Sequence, residues 1–202
     1  HAYLTCDIAL QGSDRFVIGL WKGMVLVDIE VHTKRDSNEV VDIIKGKAVA
    51  HNVPRSRIAY DADGLGAYLT GYLQGAVAYH GGKAMKPVMG QKLAYQNTRS
   101  QCHFMAADAI NGRKMRVADH RHKQELDQEI QACLRSGHVG SDGVFVPGQD
   151  AAGRWGIVPK DKPVVGARAR LNRSPDLFDI IPMRMYLELA PMPIFTGAAA
   201  EI

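Results

Sequence analysis

Three pairs of aspartates stand out as residues able to do chemistry: Asp7 with Asp14, Asp61 with Asp63, and Asp176 with Asp179. Carboxylates brought within a few ångströms of one another repel, and without a cation one of them must take up a proton. Hard divalent cations remove that penalty, and Mg²⁺ and Mn²⁺ suit oxygen ligands. Two such ions about 4 Å apart can activate a water and stabilise the leaving oxygen of a phosphodiester. The chemistry on offer is therefore phosphodiester hydrolysis at a pair of Mg²⁺ or Mn²⁺ ions.

The six positions differ in how well a purely structural role would explain them. Asp7 lies between Cys6 and Ile8, Asp61 follows Ile58-Ala59-Tyr60, and Asp179 lies between Phe178 and Ile180, so each interrupts an apolar run. Asp14, in Gln11-Gly12-Ser13-Asp14-Arg15, reads equally as a turn residue. Asp63 precedes Gly64 as a turn former would, and Asp176 suits the first turn of a helix. Other chemistries find less support. There is no Cys-x-x-Cys or His-x-x-x-His pair for zinc. No Gly-x-Ser-x-Gly elbow or phosphate-binding Gly-x-x-x-x-Gly-Lys-Ser/Thr loop occurs either. Asp61-Ala62-Asp63-Gly64 is similar to the nucleophile loop of haloacid-dehalogenase-type phosphatases, but Leu65 follows where Thr or Val is usual.

Strand ends and helix starts must carry these acids. Residues 2–10 read as a strand, and Phe16–Trp21 with Met24–His32 form a β-hairpin about Lys22-Gly23. Asp36 and Glu39 fit a capping box opening a helix with Val40, Ile43, Ile44 and Ala48 on one stripe. Residues 57–60 form a buried-type strand, a short helix covers 65–73, a strand covers 75–80, and 81–97 form a loop. Thr98 and Gln101 suggest a second capping box for a helix ended by Gly112. A further helix carries Leu126, Ile130, Cys133 and Leu134 and closes at Gly137. An extended hairpin is expected near 140–170. Ser174-Pro175-Asp176 opens a last helix, with a kink expected at Pro182. The order predicts an α/β domain with a mixed sheet flanked by helices.

Composition sets the outer limits. The 202 residues are 46% hydrophobic and 23% charged, which excludes disorder, and they fit one domain, 1–202, with a core of about 3–189 and a loose tail at 190–202. No apolar run nears the roughly 18 residues of a membrane span, and no leader-like segment opens the chain. Three dispersed cysteines point to a reducing, cytosolic setting. The chain opens on His1 rather than Met, and reads as a piece of a larger parent. The net charge of +4 is unevenly spread. Residues 64–107 hold no acid but carry Lys83, Lys86, Lys92 and Arg99. Residues 154–173 carry Arg154, Lys160, Lys162, Arg168, Arg170 and Arg173 against Asp161 alone. Such stretches suit a phosphate backbone.

Three motifs, taken in order, resemble the C-terminal nuclease domain of the phage terminase large subunit. They are Cys6-Asp7-Ile8 through Asp14-Arg15, Tyr60-Asp61-Ala62-Asp63-Gly64-Leu65-Gly66, and Arg173-Ser174-Pro175-Asp176-Leu177-Phe178-Asp179. The resemblance implies a ribonuclease H-like fold, shared with retroviral integrases and Holliday-junction resolvases. It implies a metal-dependent endonuclease that cuts concatemeric viral DNA during packaging, with Asp7, Asp61 and Asp179 as ligands to two Mg²⁺ or Mn²⁺ ions. Asp14 matches an auxiliary acid, and the roles of Asp63 and Asp176 stay open. The implied partners are double-stranded DNA, an N-terminal packaging ATPase of the same parent, the portal and the small terminase subunit. The implied location is the host cytoplasm, with no membrane. A resolvase-type nuclease, the phosphatase and a non-catalytic DNA-binding or assembly module are the alternatives.

Overall fold

A computed structural model describes residues 1–8, 15–33, 35–90, 94–139 and 141–189. Asp14, Lys92 and the tail 190–202 lie outside the described residues.

The chain opens with three antiparallel strands, β1 (Ala2–Asp7), β2 (Phe16–Lys22) and β3 (Val25–His32). Helix α1 (Ser37–Ala50) follows, and the expected capping box is present: Asp36 accepts the Glu39 backbone N–H, while the Glu39 side chain accepts that of Asp36. Next come β4 (Ile58–Asp61), a 3₁₀ segment (Gly64–Tyr68), α2 (Leu69–Tyr72) and β5 (Val77–Tyr79). The second half supplies α3 (Thr98–Asn111), β6 (Arg116–Val117), α4 (Lys123–Ala132), β7 (Gly137–Val139), β8 (Phe145–Pro147), α5 (Ala167–Leu171) and α6 (Asp176–Leu189). Six strands form one mixed sheet in the order β5-β4-β1-β2-β3-β6, with β1, β4 and β5 mutually parallel. The α/β architecture is as expected. Among the described residues no helix is long and apolar enough to cross a membrane.

Alternation along the strands divides the core. Leu4, Cys6, Phe16, Ile18, Ile58 and Tyr60 face α1 and pack with Val40 and Ile44. Val17, Trp21 and Ala59 face the other way, towards α3, α4 and α6. Because side chains alternate with a period of two, Asp7 and Asp61 belong to this second face. Helix α6 packs across β1, β2, β4 and β5 and beside α3. Gly19 permits its approach, since a Cβ there would sit 2.7 Å from the Cδ1 of Ile180.

Several local expectations are corrected. Asn97, not Thr98, caps α3, its side chain accepting the Ser100 N–H at 2.8 Å. Gln101 is turned instead to the Lys86 backbone, which it both accepts from and donates to. Helix α4 ends at Ala132 rather than running towards Gly137, because the Leu134 carbonyl is taken by the Val158 N–H at 2.9 Å. The hairpin near 140–170 is confined to β7 and β8; beyond it lie a tight loop and α5, which the sequence reading missed. Pro182, where the kink is expected, lies within α6.

Candidate active site

Parallel pairing of β1 with β4 sets Cys6 beside Tyr60, so Asp7 and Asp61 are the next residues on adjacent strands, both at carboxyl ends. Sites in open α/β sheets form outside those ends. The turn after β4 is fixed by Gly66, which lies so near the Asp61 carbonyl that a Cβ would stand 1.6 Å from the oxygen. Any side chain there would push the aspartate backbone aside. Asp179 enters from above, in the first turn of α6.

The electrostatics tie the three acids together. Asp7 is 7% exposed. Burial first, then the charges of Asp179, Asp61 and Asp176, push its carboxyl well above the usual range, against a downward pull from Lys160. Asp61 is pushed up to about 6, by burial and by Asp179 and Asp63, despite the hydrogen bond it accepts from the Asp63 N–H. Lys160 is the cation among them: its Nζ donates to Asp179 Oδ2 at 3.2 Å, and its pKa is raised by Asp179 and by Asp7. Arg99 stands 4.0 Å from the other oxygen of Asp179. A cleft of about 460 Å³ opens here, walled by Asp61, Asp63, Arg99, His103, Lys160 and Asp179. The His103 Nδ1 lies 2.8 Å from the Arg99 carbonyl, and burial, followed by Arg99, lowers this imidazole to about 4, so it is neutral at neutral pH.

Asp63 and Asp176 have partners of their own. Asp63 lies 2.9 Å from His80 Nδ1 and accepts the Gly81 N–H at 3.0 Å, pinning the end of β5. Asp176 accepts both the backbone N–H and the Nε of Arg15.

The basic residues expected on a duplex-facing surface divide. Lys83 and Lys162 are exposed. Arg99 and Lys160 turn inward to Asp179. Lys86 lies over the Tyr186 ring, 4.4 Å from its centroid. Arg154 pairs with Asp150 and Arg168 with Asp161, while Arg170 donates to the Gln131 and Ala132 carbonyls at the end of α4. Arg173 binds Glu125 and Glu129. Sequence reading missed Glu129 altogether. Its signal is its place on the apolar stripe Leu126, Glu129, Ile130, Cys133 of α4, where an acid needs a buried partner.

Among the described residues no three Asp, Glu, His or Cys side chains stand as a finished cage for an ion. The donor chemistry still suits one. Asp7, Asp61 and Asp179 supply only oxygen, and Asp7 and Asp61 are held above their ordinary pKa by burial first and by neighbouring acids second. A hard divalent cation is the species that such a set favours.

No protein-family model and no curated protein matches the chain. Solved structures do. The nuclease domain of the large terminase subunit of bacterial virus Sf6 superposes with a TM-score of 0.72 at 18% identity, over 91% of this chain and 87% of that one. A single-residue variant of that domain with calcium matches at 0.71 and 18% identity. A variant with manganese and β-thujaplicinol matches at 0.70 and 17%. The chain thus has the fold of the phage terminase large-subunit nuclease domain, the ribonuclease H-like α/β arrangement that its motifs resemble.

Proposed function

We propose that this domain is a metal-dependent endonuclease that cuts concatemeric viral DNA during genome packaging. The observation that carries the reading is the convergence of Asp7, Asp61 and Asp179 on one face of the sheet, at the ends of parallel strands and under the first turn of α6. Asp7, Asp61 and Asp179 would hold two Mg²⁺ or Mn²⁺ ions, which when bound supply Lewis acidity and an activated water. The chain's own residues do the rest. Asp7, largely shielded from water, fixes the inner side of the site. Asp61 and Asp179 face the cleft into which a scissile phosphate would enter. Lys160 and Arg99, now paired with Asp179, are placed to exchange that partner for phosphate oxygens. Lys83 and Lys162 are exposed cations for the flanking backbone.

Double-stranded DNA is the proposed substrate. A packaging ATPase of the same parent, the portal and the small terminase subunit are the proposed partners, in the host cytoplasm. The test is plasmid cleavage with Mn²⁺. Asp61→Asn and Asp179→Asn are expected to lower the rate by a factor on the order of 1000, as losing a group that stabilises developing charge does. Variants that cut as well as the parent would refute the assignment. Plasmid affinity is expected to fall with salt at a log–log slope of about −0.9 per phosphate contact, and a flat response removes the basic residues from the account.

A further inference from the structure

Helix α6 has an unusual beginning. The first backbone N–H groups of a helix lack partners within it and ordinarily take a side-chain oxygen from the residue just before. Here Pro175 stands in that place and has no such oxygen. The Phe178 N–H, which also reaches the Pro175 carbonyl at 3.2 Å, takes its side-chain oxygen from another helix: Glu129 of α4, 0% exposed, accepts it on Oε2 at 2.8 Å. Its Oε1 accepts from Arg173, just ahead of α6, and from Arg15 Nη2 at 3.4 Å. Arg15 in turn holds Asp176 through its backbone N–H at 3.1 Å. One buried carboxylate therefore grips the turn of α6 that carries Asp179.

We infer that Glu129 is a positioning residue, which sets where Asp179 stands above the ends of β1 and β4. Phe178, whose N–H it holds, is the residue directly before Asp179. Burial raises the Glu129 carboxyl to about 7, while Arg173, the Phe178 N–H and Arg15 pull it back down; the helix dipole favours its charged form. Burying a carboxyl is costly, and the hydrogen bonds that offset the cost come from Arg173 and Phe178 at the start of α6 and from Arg15, which itself holds Asp176. Groups that orient a ligand from behind typically change metal affinity or activity by about 10- to 100-fold when removed. The inference rests on the nuclease reading, because it concerns how one proposed ligand is held.

The test is Mn²⁺ affinity by calorimetry on the whole chain, beside plasmid affinity in EDTA and thermal unfolding. Glu129→Ala is expected to weaken Mn²⁺ binding about 10- to 100-fold while plasmid affinity in EDTA stays at the parent level. Glu129→Gln retains an acceptor for the Phe178 N–H and is expected to restore Mn²⁺ affinity to within about threefold of the parent. Glu129→Asp keeps the charge but withdraws it by one methylene. It is expected to bind Mn²⁺ more weakly than the parent, and it decides the matter if the alanine variant does not fold. Parent-level Mn²⁺ affinity in a folded Glu129→Ala or Glu129→Asp protein overturns this inference alone. A parent that binds no Mn²⁺ overturns the nuclease reading, and this inference with it.

Discussion

Two buried aspartates on the same sheet are settled in opposite ways. Asp119, just after β6 and 4% exposed, has everything a carboxylate needs. Burial would raise its pKa, but hydrogen bonds from the Arg121 guanidinium (2.7 Å), the Ile29 N–H (2.8 Å) and the Arg121 N–H (2.8 Å) outweigh it and hold the group at about 2. Asp7, at the end of β1 and 7% exposed, is surrounded by other acids with Lys160 as the nearby cation, and its pKa is driven upward. Both are shielded from water, but Asp7 lies deeper, so burial acts on it more strongly, and it lacks the positive charge and donors that hold Asp119. At the same end of the sheet, one carboxylate is satisfied as built and the other is not. Perturbed carboxylates of the second kind mark functional sites more often than those of the first.

The contrast can be broken most severely through the backbone. Gly66→Ala would place a Cβ 1.6 Å from the Asp61 carbonyl oxygen, an overlap that no rotamer relieves. Displacement of Asp61 by about 1 Å is expected to cost on the order of 100-fold in Mn²⁺-dependent cleavage. A Gly66→Ala protein that folds and cuts at the parent rate would separate Asp61 from the chemistry.

Neutralising each aspartate should sharpen the contrast, because the signs differ. Asp119 has a lowered pKa, so its stabilisation is fully present above the unfolded value of about 4 and is lost as pH falls through about 2. Asp119→Asn is therefore expected to cost about 1–3 kcal/mol at pH 8, in urea unfolding with EDTA. Asp61 has a raised pKa, so its contribution favours folding below about pH 4 and is lost as pH rises through about 6. Asp61→Asn should make the metal-free protein about 1 kcal/mol more stable at pH 8, with the gain vanishing below pH 4. A loss of stability on neutralising Asp61 would show that its charge is already compensated.

The smallest effect is the pH response of the site itself. Protons and metal compete for the same carboxylates. Mn²⁺ affinity is expected to fall as pH is lowered, by about tenfold per unit or more below pH 6, where Asp61 takes up its proton beside Asp7, which is also raised. Calorimetry from pH 5 to 8 would show this, and a flat profile would take Asp61 out of the ligand set.

Local pattern made the positions of Asp7 and Asp61 legible. Asp61 ends a run of buried-type strand residues and is followed by the turn residues Asp63 and Gly64, whereas Asp7 stands within the strand expected over 2–10, which the structure ends at Asp7. Parallel pairing of those two strands is a tertiary fact, but the period of two then decides the face without further information. The Asp36–Glu39 capping box was equally local and stands in the structure. The fate of the cations was not legible. A count of Lys and Arg says nothing about which of them meets an acid 19 residues away, as Lys160 meets Asp179, or 44 residues away, as Arg173 meets Glu129. Two basic stretches that look alike in sequence thus become partly a surface and partly the inner wiring of the site. Glu129 stayed hidden for the same reason: its partners come from residues 15, 173 and 178.

The alternation of β1 has a consequence for what the chain tolerates. Thr5 and Asp7 face α6, whereas Leu4 and Cys6 face α1. Deleting or inserting one residue ahead of Asp7 would rotate the carboxylate through the sheet and bury it against Val40 and Ile44, while bringing an aliphatic group to the cleft side. Changes of length in this strand would therefore come in pairs or be lost, whereas the surface loops far from it are free to grow by single residues.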